Sequence, residues 1–133
     1  MQAHELDREI WLRPERASAS VAREFAGDAA QDLGCDRAAT EALRLGITEA
    51  VANAVEHGAP CENGLISVSL YIEAGCFTTE IRDCGDFKPA RQPADSLEER
   101  GRGLSLMFAV MDSVEIESAP GHTIVRLAKR LAA

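Results

Sequence analysis

Between Ile66 and Asp83 the chain alternates in a way that only a pair of strands can use. Ile66, Val68, Leu70 and Ile72 are interleaved with Ser67, Ser69 and Tyr71, the period-two pattern of a half-buried strand. Glu73-Ala74-Gly75 makes a turn into a second strand, Cys76 to Asp83, in which Phe77, Thr79, Ile81 and Asp83 share one parity. Asp83 therefore ends on the apolar side, where a carboxylate is costly without a partner. A closing hairpin, Val114 to Ser118 and His122 to Leu127 around Ala119-Pro120-Gly121, repeats the anomaly. There Thr123 shares its parity with Val125 and Leu127.

The rest of the chain is helical or irregular. Leu6 to Leu12 reads as a short edge strand ended by Pro14, which suits the first turn of a following helix. Val21, Phe25, Ala29 and Leu33 recur every fourth residue and predict its apolar stripe, with Gly34 as the stop. Asp36 can cap a second helix running to about His57, with Gly58 as its terminator. Leu43, Ile47, Ala50, Val51 and Ala54 form its apolar stripe; Glu49, Asn53 and His57 form a polar stripe beside it. Gly46 lies on the side of Asn53 and removes bulk there. Cys84 to Arg102 reads as a long loop, and Leu104 to Met111 as a short buried helix. Helices on one face of a mixed, mostly antiparallel sheet fit this order: an α+β two-layer sandwich.

At 133 residues the expectation is one domain over 1–133. The formal net charge of -8 makes direct nucleic-acid binding and an anionic membrane surface poor expectations. No apolar run reaches the length of a membrane span, and Met1 to Glu5 does not open a signal peptide, so the expected location is cytoplasmic. The four cysteines, at 35, 61, 76 and 84, include no CxxC pair, and the three histidines are scattered. Free thiols in a reducing compartment are expected, and a zinc site is not.

Three placements share one explanation. Glu49 and Asn53 stand one helical turn apart, Asp83-Cys84-Gly85 ends a strand, and Gly101-Arg102-Gly103-Leu104 opens a helix. Singly, each has an ordinary reading as a solvated face, a turn or a connection. Together they describe a magnesium-nucleotide pocket. A carboxyl and an amide oxygen one turn apart can hold Mg²⁺ and activate a nucleophile. A helix N-terminus bared by glycines takes phosphates. A buried aspartate can accept from an exocyclic amine such as that of adenine. The loop 84–102 would close over them as a lid.

At this point the sequence resembles the GHKL (Bergerat-fold) ATPases. Glu49-Ala50-Val51-Ala52-Asn53-Ala54-Val55-Glu56-His57-Gly58 is similar to their N-box, and Asp83-Cys84-Gly85 to their first glycine box. Gly101-Arg102-Gly103-Leu104-Ser105-Leu106-Met107 is similar to the second glycine box, and Gly121-His122-Thr123 to the terminal Gly-x-Thr motif. Within that superfamily the chain looks most like the bacterial anti-sigma-factor serine/threonine kinases of the RsbW and SpoIIAB type. The resemblance implies Glu49 as general base and Asn53 as Mg²⁺ ligand. Asp83 would receive the adenine amine with Thr123 assisting, and Gly85 would allow close approach of the base. Gly101, Arg102, Gly103 and Leu104 would wrap the phosphates, with His57 beside them. The family usually carries a second glycine where this chain has Phe87, so the adenine-side loop is altered.

A sensor histidine kinase would need an upstream helix pair, and gyrase or Hsp90 members carry further domains, so a free-standing anti-sigma kinase is expected. The resemblance further implies a homodimer, a STAS-type anti-anti-sigma protein as phosphorylated partner, and a sequestered sigma factor. A nucleotide-gated binding module without kinase activity is the alternative. An intact Glu49 favours the enzyme, since binding alone needs no base.

Overall fold

The computed structural model describes residues 7–61, 63–85, 107 and 109–131. Five strands, β1 (Asp7–Leu12), β2 (Ile66–Glu73), β3 (Cys76–Asp83), β4 (Ser113–Ala119) and β5 (His122–Arg130), form one sheet in the order β1-β2-β3-β5-β4. All four pairings are antiparallel. Helices α1 (Ala17–Asp32) and α2 (Arg37–His57) cover one face. This is the expected α+β two-layer sandwich.

The alternation in β2 and β3 sets the register. Val68 pairs with Ile81 and Leu70 with Thr79, so Ile66, Val68, Leu70, Phe77 and Ile81 line the core side, each at most 1% exposed. The β3–β5 register then sets Asp83 opposite Thr123. Both anomalies of the sequence thus lie side by side at one end of the sheet, on its covered face.

The second helix forms as expected. Asp36 accepts a hydrogen bond from the Ala39 backbone N–H at 2.7 Å, and Gly58 closes the last turn through its N–H to the Ala54 carbonyl. Leu43, Ile47, Ala50, Val51 and Ala54 are all buried. Gly46 removes bulk for a different neighbour than expected: a Cβ there would stand 2.9 Å from the Met111 sulfur.

The first helix corrects the predicted stripe. Val21 is 46% and Leu33 37% exposed, and Phe25 is only half-buried, whereas Ala22, Ala26, Ala29 and Ala30 are fully buried. The buried face is rotated by one residue because small side chains let α1 approach α2 closely. Hydrophobic bulk points to the wrong face where alanines do the packing. Pro14 precedes the helix instead of opening its first turn.

Candidate nucleotide site

The carboxylate of Asp83 is the centre of the site. It is 5% exposed and is held by neutral donors: the Gly85 N–H at 2.8 Å and the Ala59 N–H at 3.3 Å, both to Oδ1. Burial raises its pKa above the ordinary aspartate value, and these two N–H groups pull it part of the way back. Two glycines make the room. A Cβ on Gly58 would stand 2.6 Å from the Asp83 Cγ, 2.7 Å from Oδ2 and 2.6 Å from the Ala54 carbonyl oxygen. A Cβ on Gly85 would stand 2.9 Å from the Ala59 nitrogen. A side chain at either position would push against Asp83 or the turn after α2, so both positions call for glycine.

Thr123 completes the cluster. Its hydroxyl donates to the Gly85 carbonyl at 2.9 Å, which fixes the turn after Asp83 and leaves the hydroxyl oxygen able to accept. Asp83, Gly85 and Thr123, separated by up to 40 positions in the chain, are brought together with the end of α2. Glu49 and Asn53 are half-buried on that same helix, each about 6 Å of axial rise from the next residue of the stripe. His57 lies in the last turn, its Nε2 3.6 Å from the Glu56 carboxylate. The expected phosphate residues Gly101, Arg102, Gly103 and Leu104, Phe87, and most of the loop 84–102 lie outside the described residues.

Mg²⁺ at a nucleotide site asks for few protein oxygens. Among the described residues no group of three or more His, Cys, Asp or Glu could form an all-protein cage. Mg²⁺ commonly takes one or two protein oxygens and completes its shell with phosphate and water. The amide oxygen of Asn53 is of that kind, and Glu49 stands one turn before it on α2.

One expectation is overturned. Cys61 and Cys84 are joined in a disulfide, with Cα atoms 4.8 Å apart, and only Cys35 and Cys76 are free. The reason is topological: the turn after α2 runs beside the end of β3, and the Cys84 N–H donates to the Ala59 carbonyl at 2.8 Å. Sequence reading also missed Gly58 and Ala59 as parts of the cradle. The signal available was the Gly58-Ala59-Pro60-Cys61 run directly after the polar stripe.

Comparison with known proteins places the chain in a family and a fold. A family model described as the histidine kinase-like ATPase domain matches residues 10–129. The Anti-sigma F factor of Thermoanaerobacter sp. (strain X514) is 35% identical over 96 residues, covering 65% of this chain and 67% of the relative. That of Geobacillus kaustophilus (strain HTA426) is 38% identical over 100 residues, covering 68% of each. That of Bacillus subtilis (strain 168) is 38% identical over 100 residues, covering 67% of this chain and 68% of the relative. Among solved structures, the RsbU and RsbW domains of a Mycobacterium tuberculosis protein superpose with a TM-score of 0.73 at 22% identity, covering 95% of this chain and 32% of that one. A chain of the SiaB–SiaC complex from Pseudomonas aeruginosa gives 0.58 at 12% identity, covering 96% and 91%. Both structures share the fold.

Proposed function

The chain belongs to the histidine kinase-like ATPase domain family, and on that premise we propose that it is an ATP-dependent regulator of the anti-sigma, partner-switching type. The finer reading is a protein serine/threonine kinase. It transfers the γ-phosphate of ATP to a STAS-type anti-anti-sigma partner and sequesters a sigma factor in the cytoplasm. The observation that carries the nucleotide site is the Asp83 cradle: a buried carboxylate, held by neutral N–H groups between two glycines, at the end of the helix that bears Glu49 and Asn53. The names of the anti-sigma F relatives support the regulatory reading.

In this reading Asp83 accepts from the exocyclic amine of adenine, and Thr123 holds the Gly85 turn against the base. Asn53 would hold Mg²⁺, which when bound would supply neutralisation of phosphate charge. Glu49, one turn earlier, takes the proton of the incoming serine hydroxyl. General-base assistance is worth about 10² to 10⁴ in rate, and a carboxylate that is not itself the metal ligand contributes little to nucleotide affinity. Glu49→Ala should therefore bind Mg-ATP and its partner yet lose most phosphoryl transfer, while Asn53→Ala loses both. Transfer measured with radiolabelled ATP and a STAS-domain protein checks this. Unchanged transfer by Glu49→Ala would refute the base, and binding without transfer by the wild type would leave only a sequestering module.

The same reading includes a homodimer formed partly through β1. That strand is an edge of the sheet, and its Trp11 is 46% exposed. Light scattering should give twice the 14.3 kDa chain mass; a monomer at high concentration contradicts it.

A further inference from the structure

We propose that Cys61 and Cys84 are a thiol–disulfide modification site that sets nucleotide affinity, the oxidised pair holding the Asp83 cradle in its binding geometry. The proposal rests on the nucleotide reading above and adds a chemical control to it. Three links join segment 59–61 to segment 83–85. Two are hydrogen bonds, from the Ala59 N–H to Asp83 Oδ1 at 3.3 Å and from the Cys84 N–H to the Ala59 carbonyl at 2.8 Å. The third is the disulfide, between residues 23 positions apart.

The first of these bonds is long, and water competes for both. The covalent link alone keeps the turn after α2 against the end of β3 regardless of solvent. Cys84 directly follows Asp83, so any movement of one segment against the other is transmitted to the carboxylate. The clearances leave no slack: the cradle closes to contact at Gly58 and at Gly85. Both cysteines are half-buried, within reach of a small thiol, as exchange requires. The remaining cysteines are elsewhere, Cys35 after α1 and Cys76 at the start of β3.

The reaction is an exchange with a dithiol. One thiolate of the reductant attacks a sulfur of the Cys61–Cys84 bond and forms a mixed disulfide, releasing the other cysteine as a thiolate. The reductant's second thiol then displaces the first cysteine and closes its own disulfide. Two electrons and two protons pass from the dithiol to the pair, which ends as two thiols. Loss of the link removes pre-organisation, so nucleotide binding must then order the two segments itself.

The test is calorimetry of the full chain with Mg-ATP, air-oxidised and after treatment with dithiothreitol, with thiols counted by alkylation and mass spectrometry. The oxidised chain should expose two alkylatable thiols when denatured, and the reduced chain all four. Reduction should weaken nucleotide binding about tenfold, a coupling typical of linked sites, and reoxidation should restore it. Cys61→Ser should stay at the reduced affinity whatever the redox state, while Cys35→Ser and Cys76→Ser should respond like wild type. Equal affinity in both forms overturns the proposal and leaves the nucleotide reading intact. So does a reduced chain that melts below the assay temperature, since the bond would then be purely structural. Four thiols in the air-oxidised chain also overturn it. If neither form binds nucleotide although the bond opens and closes, the nucleotide reading itself fails and the inference with it.

Discussion

Glu80 and Asp83 both lie on β3, three residues apart on opposite faces of the sheet, and they are held in opposite ways. Glu80, on the face away from the helices, accepts from the Tyr71 hydroxyl and from Arg126 Nε at 2.9 Å. Arg126 extends the cluster to Glu115 at 3.3 Å and Glu117 at 3.6 Å. Hydrogen bonding to Glu80 is the main reason its guanidinium is held above the ordinary arginine range. Burial, and then the bond to Glu80, push the Tyr71 hydroxyl up to about 12. Asp83 is more deeply buried, yet the bonds that hold it come from neutral backbone groups, both on one oxygen. The first carboxylate spends its charge on the fold; the second has only neutral donors among these bonds, which suits the acceptor role proposed for it. Burial without charge compensation is the feature on which the proposed site rests.

The largest break in that comparison is Asp83→Asn. An amide can keep the backbone N–H bonds through its oxygen but presents a donor where adenine needs an acceptor. Hydrogen bonds to charged groups are worth about 1.5–3 kcal/mol, so ATP binding measured by calorimetry should weaken by roughly one to two orders of magnitude. Stability should move the other way. Because the folded pKa of Asp83 is raised, the native state holds the proton longer than the unfolded chain does. Its contribution is fully present below the ordinary value of 3.8 and is lost as pH rises through the raised value. The asparagine variant escapes that loss and should melt no lower than wild type at pH 7. ATP affinity of the wild type should fall as pH is lowered through the same window. A variant less stable than wild type at pH 7 would make Asp83 a structural carboxylate like Glu80 and erase the distinction.

What the sequence could reveal follows the same division. The strands were legible because period two and the parity of Asp83 and Thr123 are local properties, and the observed register realises them. The second helix was legible because its cap, stripe and terminator all agree. The face of α1 was not. Which side of a helix is buried depends on what approaches it, and alanines allow the closest approach while carrying the weakest hydrophobic signal. The motifs pointed to Asp83, Gly85 and Thr123, which the fold brings together, but the parts that hold Asp83, namely Gly58, Ala59 and the Cys61–Cys84 bond, belong to a contact between segments distant in sequence. No spacing rule predicts which cysteines pair; only the passage of the turn after α2 beside β3 brings these two within bonding distance.

The smaller break is Glu80→Gln, which keeps the shape of the open-face cluster and removes the charge on which it is built. Tyr71 and Arg126 retain an acceptor, so the loss is that of a partly exposed ion pair, about 1 kcal/mol or less, and it should shrink further at high salt. ATP affinity should not change, since the substitution lies on the opposite face from Asp83. Tyr71 is the chain's one tyrosine, so its phenolate absorbance reports the cluster alone. In the wild type the raised Tyr71 value keeps its proton in the folded state. That contribution is intact below the ordinary tyrosine value of 10.0 and is lost as pH rises through about 12. Removing the Glu80 charge should shift the tyrosine titration downward. It should stay above the ordinary value, because burial is the largest cause of the shift and remains. A titration that does not move would show that Glu80 is uncoupled from Tyr71 in solution. A loss of ATP binding in this variant would show that the two faces of β3 are not independent, and that the charge stored on one face supports the site on the other.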